Sequence, residues 1–155
     1  LELLIVLAII GILSAFFLPN FNGRSTQLEI NVQLQKLLGN IENVKSKAVN
    51  GVYARDSTLT EAQKRVNWRI SFCELNNGVA NKYTLSAISV VPTTDKEEFK
   101  LDDGITFKNC PINREATFTR LTGVLQETTP LTIEIEKKGI TGSLKIDTSG
   151  LVTLN

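Results

Sequence analysis

The chain has no histidine and no methionine, two cysteines, four prolines and only 6% aromatic residues among its 155. Each scarcity removes a class of explanation. Without histidine it lacks the commonest general base and the commonest metal ligand, so a Ser–His–Asp arrangement is excluded. Neither Cys73 nor Cys110 belongs to a CxxC pair, which argues against a zinc site and against thioredoxin-like redox chemistry. Seventeen basic residues against sixteen acidic ones leave a net charge of +1. No global field therefore draws the chain to nucleic acid or anionic lipid. The ten glycines are scattered at turns and form no phosphate-cradling loop. The missing methionine is read as a start downstream of the initiator, and hence as processing at the N-terminus.

What the chain does have is one long apolar run at its front, LELLIVLAIIGILSAFFLPNF. From Leu3 to Leu18 nearly every side chain is apolar, and Glu2 stands alone ahead of the block. A charge in mid-bilayer costs about 2.5 to 3.5 kcal/mol. Glu2 thus needs a partner, and with no cation on the same stretch that partner is placed on another molecule. Residues 3–18 would rise about 24 Å as a helix, against a hydrocarbon core of about 30 Å. No Ala-x-Ala cleavage site marks the block as a removable signal peptide. A buried core helix is the competing reading, but a domain of this size has no interior that could cover such a helix on all sides.

Pro19 should kink the helix or melt a short stretch of it. The helical period then resumes with Leu28, Leu34, Leu37, Leu38, Ile41, Val44 and Ala48 on one stripe, and Gly51 is the expected stop. Residues 51–66 read as a connection, with a capping pattern in Ser57–Glu61 ahead of a short helix over Ala62–Val66. From Trp68 the period becomes two. Strands are expected over Trp68–Phe72, Tyr83–Ser89, Ile105–Phe107, Ala116–Leu121, Leu131–Glu136, Ser143–Asp147 and Leu151–Leu154, with turns at Asn76-Asn77-Gly78, Lys137-Lys138-Gly139 and Ser149-Gly150. Thr93–Lys100 reads as a polar stretch between them. The fold class is α+β: a long N-terminal helix, apolar in its first half and amphipathic in its second, packed on a C-terminal antiparallel sheet. Residues 1–23 form a membrane or filament-core segment. Residues 24–155 form the globular domain, with helix to residue 50, the connection over 51–66 and strands over 67–155.

No catalytic or metal-binding residue is assigned, and no cofactor. Asp102-Asp103 sit in a turn sequence and read as solvated. With Asp56 they give no loop of alternating oxygen ligands for calcium. Lys64-Arg65 with Arg69, and Lys137-Lys138, are small basic clusters that lack the interleaved aromatics a single-strand binder would use. If the domain is exported, a Cys73–Cys110 bridge follows, stabilising by about 4 kcal/mol in the chain-entropy model. Two unpaired thiols are the alternative.

The run Glu2-Leu3-Leu4-Ile5-Val6-Leu7-Ala8-Ile9-Ile10-Gly11-Ile12-Leu13, followed by Pro19, resembles the N-terminal signature of type IV pilins and type II secretion pseudopilins. Set against that signature, the chain starts about three residues inside the mature protein. Phe118, Thr122-Gly123, Leu131–Ile135 and Leu144–Val152 resemble, more weakly, the β-domain of the GspH/FimT-like class. Its end, Leu151–Asn155, carries none of the basic residues found near the final hairpin of DNA-uptake relatives.

The resemblance implies a non-enzymatic pilin fold. A prepilin peptidase would remove a basic leader, the new amine would be methylated, and the helix would hold the subunit in the cytoplasmic membrane as a single pass. Assembly machinery would then lift it into an extracellular homopolymer used in adhesion, motility or secretion. Glu2 would match the acid that pairs with a neighbour's N-terminal amine; capping of the first turn is its other reading. Gly11, with Ala8, Ser14 and Ala15, would let helices approach closely, and Pro19 would be the family's kink. The alternatives are a minor pilin or pseudopilin that primes or tips a filament, and a receptor or nucleic-acid-binding module on a membrane stalk. Nucleic acid is not an expected partner.

Overall fold

A computed structural model describes residues 2–52, 60, 66–88, 96–109 and 114–154; the side chains of residues 2 and 15–22 lie outside the description. Among the described residues one helix, α1 (Glu2–Val49), is followed by eight strands: β1 (Asn67–Asn76), β2 (Val79–Ile88), β3 (Lys96–Lys100), β4 (Thr106–Lys108), β5 (Arg114–Phe118), β6 (Leu131–Lys137), β7 (Ile140–Ile146) and β8 (Val152–Leu154). The architecture is α+β. The antiparallel strands divide into two four-stranded sheets, ordered β3-β2-β1-β5 and β4-β6-β7-β8.

The second half of α1 follows its apolar stripe. Ile30, Leu37, Ile41, Val44 and Ala48 are fully buried and Leu34 nearly so. They meet Trp68, Ile70 and Phe72 from β1, Leu85 from β2, and Ile133, Ile135, Leu144 and Ile146 from β6 and β7, in one core that joins the two sheets. Period-two alternation is clearest on β6, where Leu131, Ile133 and Ile135 point inward and their neighbours outward. The helix ends at the expected glycine. Gly51 has φ 61°, its N–H donates to Ala48 O at 3.1 Å, and the Val52 N–H reaches back to Lys47 O at 2.9 Å. Those two bonds are a Schellman closure, which needs a left-handed residue at that position. The expected β7–β8 hairpin is present too: Asp147 Oδ1 accepts from the N–H groups of Ser149 at 2.9 Å and Leu151 at 2.8 Å.

Two expectations need revision. The last five residues of the polar stretch are an edge strand, β3, whose charged side chains hide the strand period; only Phe99 turns partly inward, stacking on Tyr83 at 5.4 Å. The strand expected over Ala116–Leu121 ends at Phe118, because Leu121 adopts φ 69° and its N–H caps the helix by donating to Ala48 O at 2.9 Å. The helix α1 is continuous through Pro19. The capping pattern at Ser57–Glu61 and the short helix over Ala62–Val66 fall largely outside the described residues, as do Ser89 and Pro92.

Candidate functional site

The first part of α1 is left uncovered by the other described residues. Every described side chain from Leu3 to Ser14 is exposed, and the nine large aliphatic ones keep between 52% and 73% of their surface in solvent (Leu13 and Leu3 among them). Such a helix, apolar on every face, is stable only when something covers it. Gly11 lies in this stretch, and a Cβ added there would meet no atom within 4 Å. Its smallness therefore serves no contact within the chain. Ser14 returns its hydroxyl to the backbone, donating to Ile10 O at 2.7 Å, so the one polar side chain described in the stretch is locally satisfied. Glu2 is the first described residue of the helix and Pro19 lies within it; the side chains of both are outside the description. Among the described residues no helix is long and apolar enough to cross a membrane.

Burial on α1 begins at Thr26, and from there the helix is clasped to the domain by ions as well as by its stripe. Lys137, at the end of β6, donates to Glu29 Oε2 at 2.5 Å and to Asp103 O at 2.8 Å. The Lys137 ammonium holds the Glu29 carboxyl below the usual carboxylate range. Lys36 pairs with Asp102 Oδ2 at 2.8 Å. Lys47 pairs with Glu97 Oε1 at 2.9 Å while lying 4.6 Å from the centre of the Trp68 ring. Lys45 donates to Gly150 O at 2.8 Å. Asn40 donates to the Tyr83 hydroxyl at 2.7 Å, and burial pushes that phenol's pKa up.

Sequence reasoning missed these clasps. Glu29 and Lys137 are 108 positions apart, and nothing local marks either as a partner. In sequence the Asp102-Asp103 turn has only a solvated look. Asp103 is exposed, but Asp102 ties the loop to the helix. The basic clusters are also spent internally in part: Arg69 pairs with Glu115 Oε2 at 2.7 Å and Lys137 with Glu29. Lys64, Arg65 and Asp56 lie outside the described residues.

Cys73 is buried and disulfide-bonded, and stands where β1 bulges between Ser71 and Glu74 with φ 67°. Its expected partner, Cys110, lies outside the described residues.

A spike of exposed apolar helix continuous with a helix packed on antiparallel sheets is a recognisable construction. The chain matches the type IV minor pilin FimU of Pseudomonas aeruginosa over 81% of its own length and 91% of that chain, with TM-score 0.57 and 17% identity. It has a pilin fold. The minor pseudopilin EpsH of the Vibrio cholerae type 2 secretion system shares the pilin fold, matching over 82% of this chain and 96% of its own with TM-score 0.51 and 11% identity. No family model and no curated protein sequence matches the chain. At such identities the likeness fixes the pilin fold and leaves the role of individual residues to the chemistry.

Proposed function

We propose that the chain is a filament subunit of the type IV pilus or secretion-pseudopilus kind, non-enzymatic, polymerising through the front of α1. The observation that carries this reading is the uncovered apolar stretch Leu3–Leu13 on a pilin-fold domain. Before assembly its cover is the lipid of the cytoplasmic membrane, where a prepilin peptidase processes the subunit and from which assembly machinery lifts it; afterwards its cover is the same stretch of neighbouring subunits, outside the cell. Glu2, in that apolar surround, pairs with a neighbour's N-terminal amine, since a buried charge left alone is costly. Gly11 gives close approach and Pro19 local compliance. Residues 24–155 are the exposed head, bridged by Cys73–Cys110. A minor position, priming or tipping the filament, is the second reading, favoured because both structural neighbours carry the word minor in their names. The test is Glu2→Ala in the full chain, with sheared surface fibres imaged and their subunits counted. Normal fibres from that variant sink the pairing. A handful of copies per fibre in the unaltered chain selects the minor position.

A further inference from the structure

Each four-stranded sheet has two edges, and an open strand edge is a template for pairing that proteins ordinarily block. Three of the four edges are blocked among the described residues. β3 carries four charges in five residues. β5 is covered by the segment after it: Thr117 O accepts from the Gln126 N–H at 2.8 Å, and the Thr117 N–H donates to Glu127 Oε2 at 3.1 Å. β4 has three residues and ends on Lys108, which pairs with Glu136 at 2.9 Å. The fourth edge, β8, reads Val152-Thr153-Leu154 and carries no charge. Among the described residues only β7 pairs with it.

The hairpin shows what the free side of β8 offers. The Asp147 N–H donates to Leu151 O at 2.9 Å, so these two residues face each other at a hydrogen-bonded position. Antiparallel alternation then turns the backbone groups of Thr153 toward Lys145, and those of Val152 and Leu154 outward. The side chains of Val152 and Leu154 share the face of their partners Ile146 and Leu144, which are fully buried, yet Leu154 stays 39% exposed. Beside this edge an open groove of about 320 Å³ separates β8 from α1. Val49 and Leu151 give it apolar walls, and Lys45 is held by Gly150 O at 2.8 Å. Glu42 is exposed on the helix side and makes no ion pair among the described residues.

We propose that β8 is a docking edge for an extended segment of a different protein, which joins the β4-β6-β7-β8 sheet beside β8 and lays alternate apolar side chains, with one lysine or arginine, in the groove against Glu42. Main-chain bonds to Val152 and Leu154 supply affinity, and the groove supplies selection. Leu154 gains the cover it lacks, and Glu42 gains a cation. A second copy of this chain fits poorly. Its β8 brings no cation to Glu42, and its β5 is already covered. The lysines on its other edges are held at home: Lys96 by Glu98, Lys100 by Asp103 and Lys108 by Glu136. The inference stands apart from the filament reading, because edge and groove both belong to the head domain.

The experiment uses the detergent-solubilised full chain. The probes are fluorescent heptapeptides of alternating threonine and valine, with one lysine stepped through the valine positions. Saturable binding of at least one of them, read by anisotropy, is expected. It should slow deuterium exchange at the Val152 and Leu154 amides and leave the Thr153 amide, which already faces β7, unchanged. The same peptide N-methylated along its backbone keeps the side chains but loses the donors, and should not bind. Leu154→Pro removes an outward N–H without touching the β7 ladder, and should abolish binding while the circular dichroism spectrum is kept. Glu42→Gln should weaken binding about tenfold, the worth of one hydrogen bond to a charged group. No binding by any peptide of the set, equal binding after N-methylation, or binding indifferent to both Leu154→Pro and Glu42→Gln overturns the proposal. Val152 and Leu154 amides already protected without peptide would overturn it too. Protection that rises with chain concentration would then assign the edge to a second copy, and protection independent of concentration to the chain itself.

Discussion

Gly142, on β7, stands directly beneath Ile30 of α1: a Cβ built on it would lie 2.6 Å from Ile30 Cγ2 and 2.7 Å from Leu34 Cδ1. Helix and sheet therefore pack here without room for a β-carbon. Gly142→Ala should therefore strain the packed stripe and destabilise the domain by about 1 to 3 kcal/mol, as overpacked cores do. Denaturant unfolding of the detergent-solubilised chain measures the change. An unaltered midpoint would show that the helix can shift without cost.

Edge strand β3 supplies the clearest pH dependence. Glu98 accepts from Lys82 and, at 2.9 Å, from Lys96, and the two ammonium groups hold its pKa down at about 2 against an ordinary 4.5. A depressed carboxylate contributes stability that is fully present above the unfolded-state value and is lost as the pH falls through the folded-state value. The loss due to Glu98 should thus run from about pH 4.5 down to about pH 2. Glu98→Gln removes that portion of the acid dependence while leaving neutral-pH folding intact. A carboxyl titration followed by NMR, with the midpoint found near the ordinary value, would contradict the triad. The same charges guard an open sheet edge against pairing with other chains.

The sequence made the helix, its stop at Gly51 and most strands legible, because each leaves a local period or a special backbone residue. Leu131, Ile133 and Ile135 announce β6 by alternation alone. What stayed hidden is long-range. Lys137 has no local reason to find Glu29, and Gly142 reads as a turn glycine until Ile30 is seen above it. β3 was missed because Lys96, Glu97, Glu98 and Lys100 carry no inward partner in sequence; their strand character comes from the β2 edge they join. The division into two sheets was equally invisible, since antiparallel periodicity is the same in one sheet or two. Of the candidate site, the uncovered apolar stretch was plain in the composition. The ionic clasps were not, because Glu29, Lys36 and Lys47 find their partners far along the chain.

Cys73 holds a left-handed backbone at a bulge, a conformation that a non-glycine residue keeps only when its surroundings impose it. If Cys110 is the other half of its bridge, both thiols should resist labelling in the native chain and both should label after reduction in denaturant. Reduction should lower stability by about 4 kcal/mol for a closed loop of this length. Labelling of Cys110 alone in the unreduced chain would place the bridge between two molecules instead.

Removing residues 1–23 tests whether the domain carries its own stability. Thr26 is the first buried residue described on α1, and Ile30 through Ala48 supply the helix's share of the core. The ionic clasps begin at Glu29. None of the tertiary bonds described depends on the segment before Gly23, whereas that segment exposes nine large aliphatic side chains, from Leu3 to Leu13. The truncated chain should accordingly be a soluble monomer with a β-rich circular dichroism spectrum and an unfolding midpoint within error of the detergent-held full chain. The cost of truncation is confined to fraying of the first helical turn after the cut, where the lost N–H partners are replaced by water. An aggregated or unfolded product would mean that the domain leans on its apolar spike, and the boundary at residue 23 would then have to be moved toward the N-terminus.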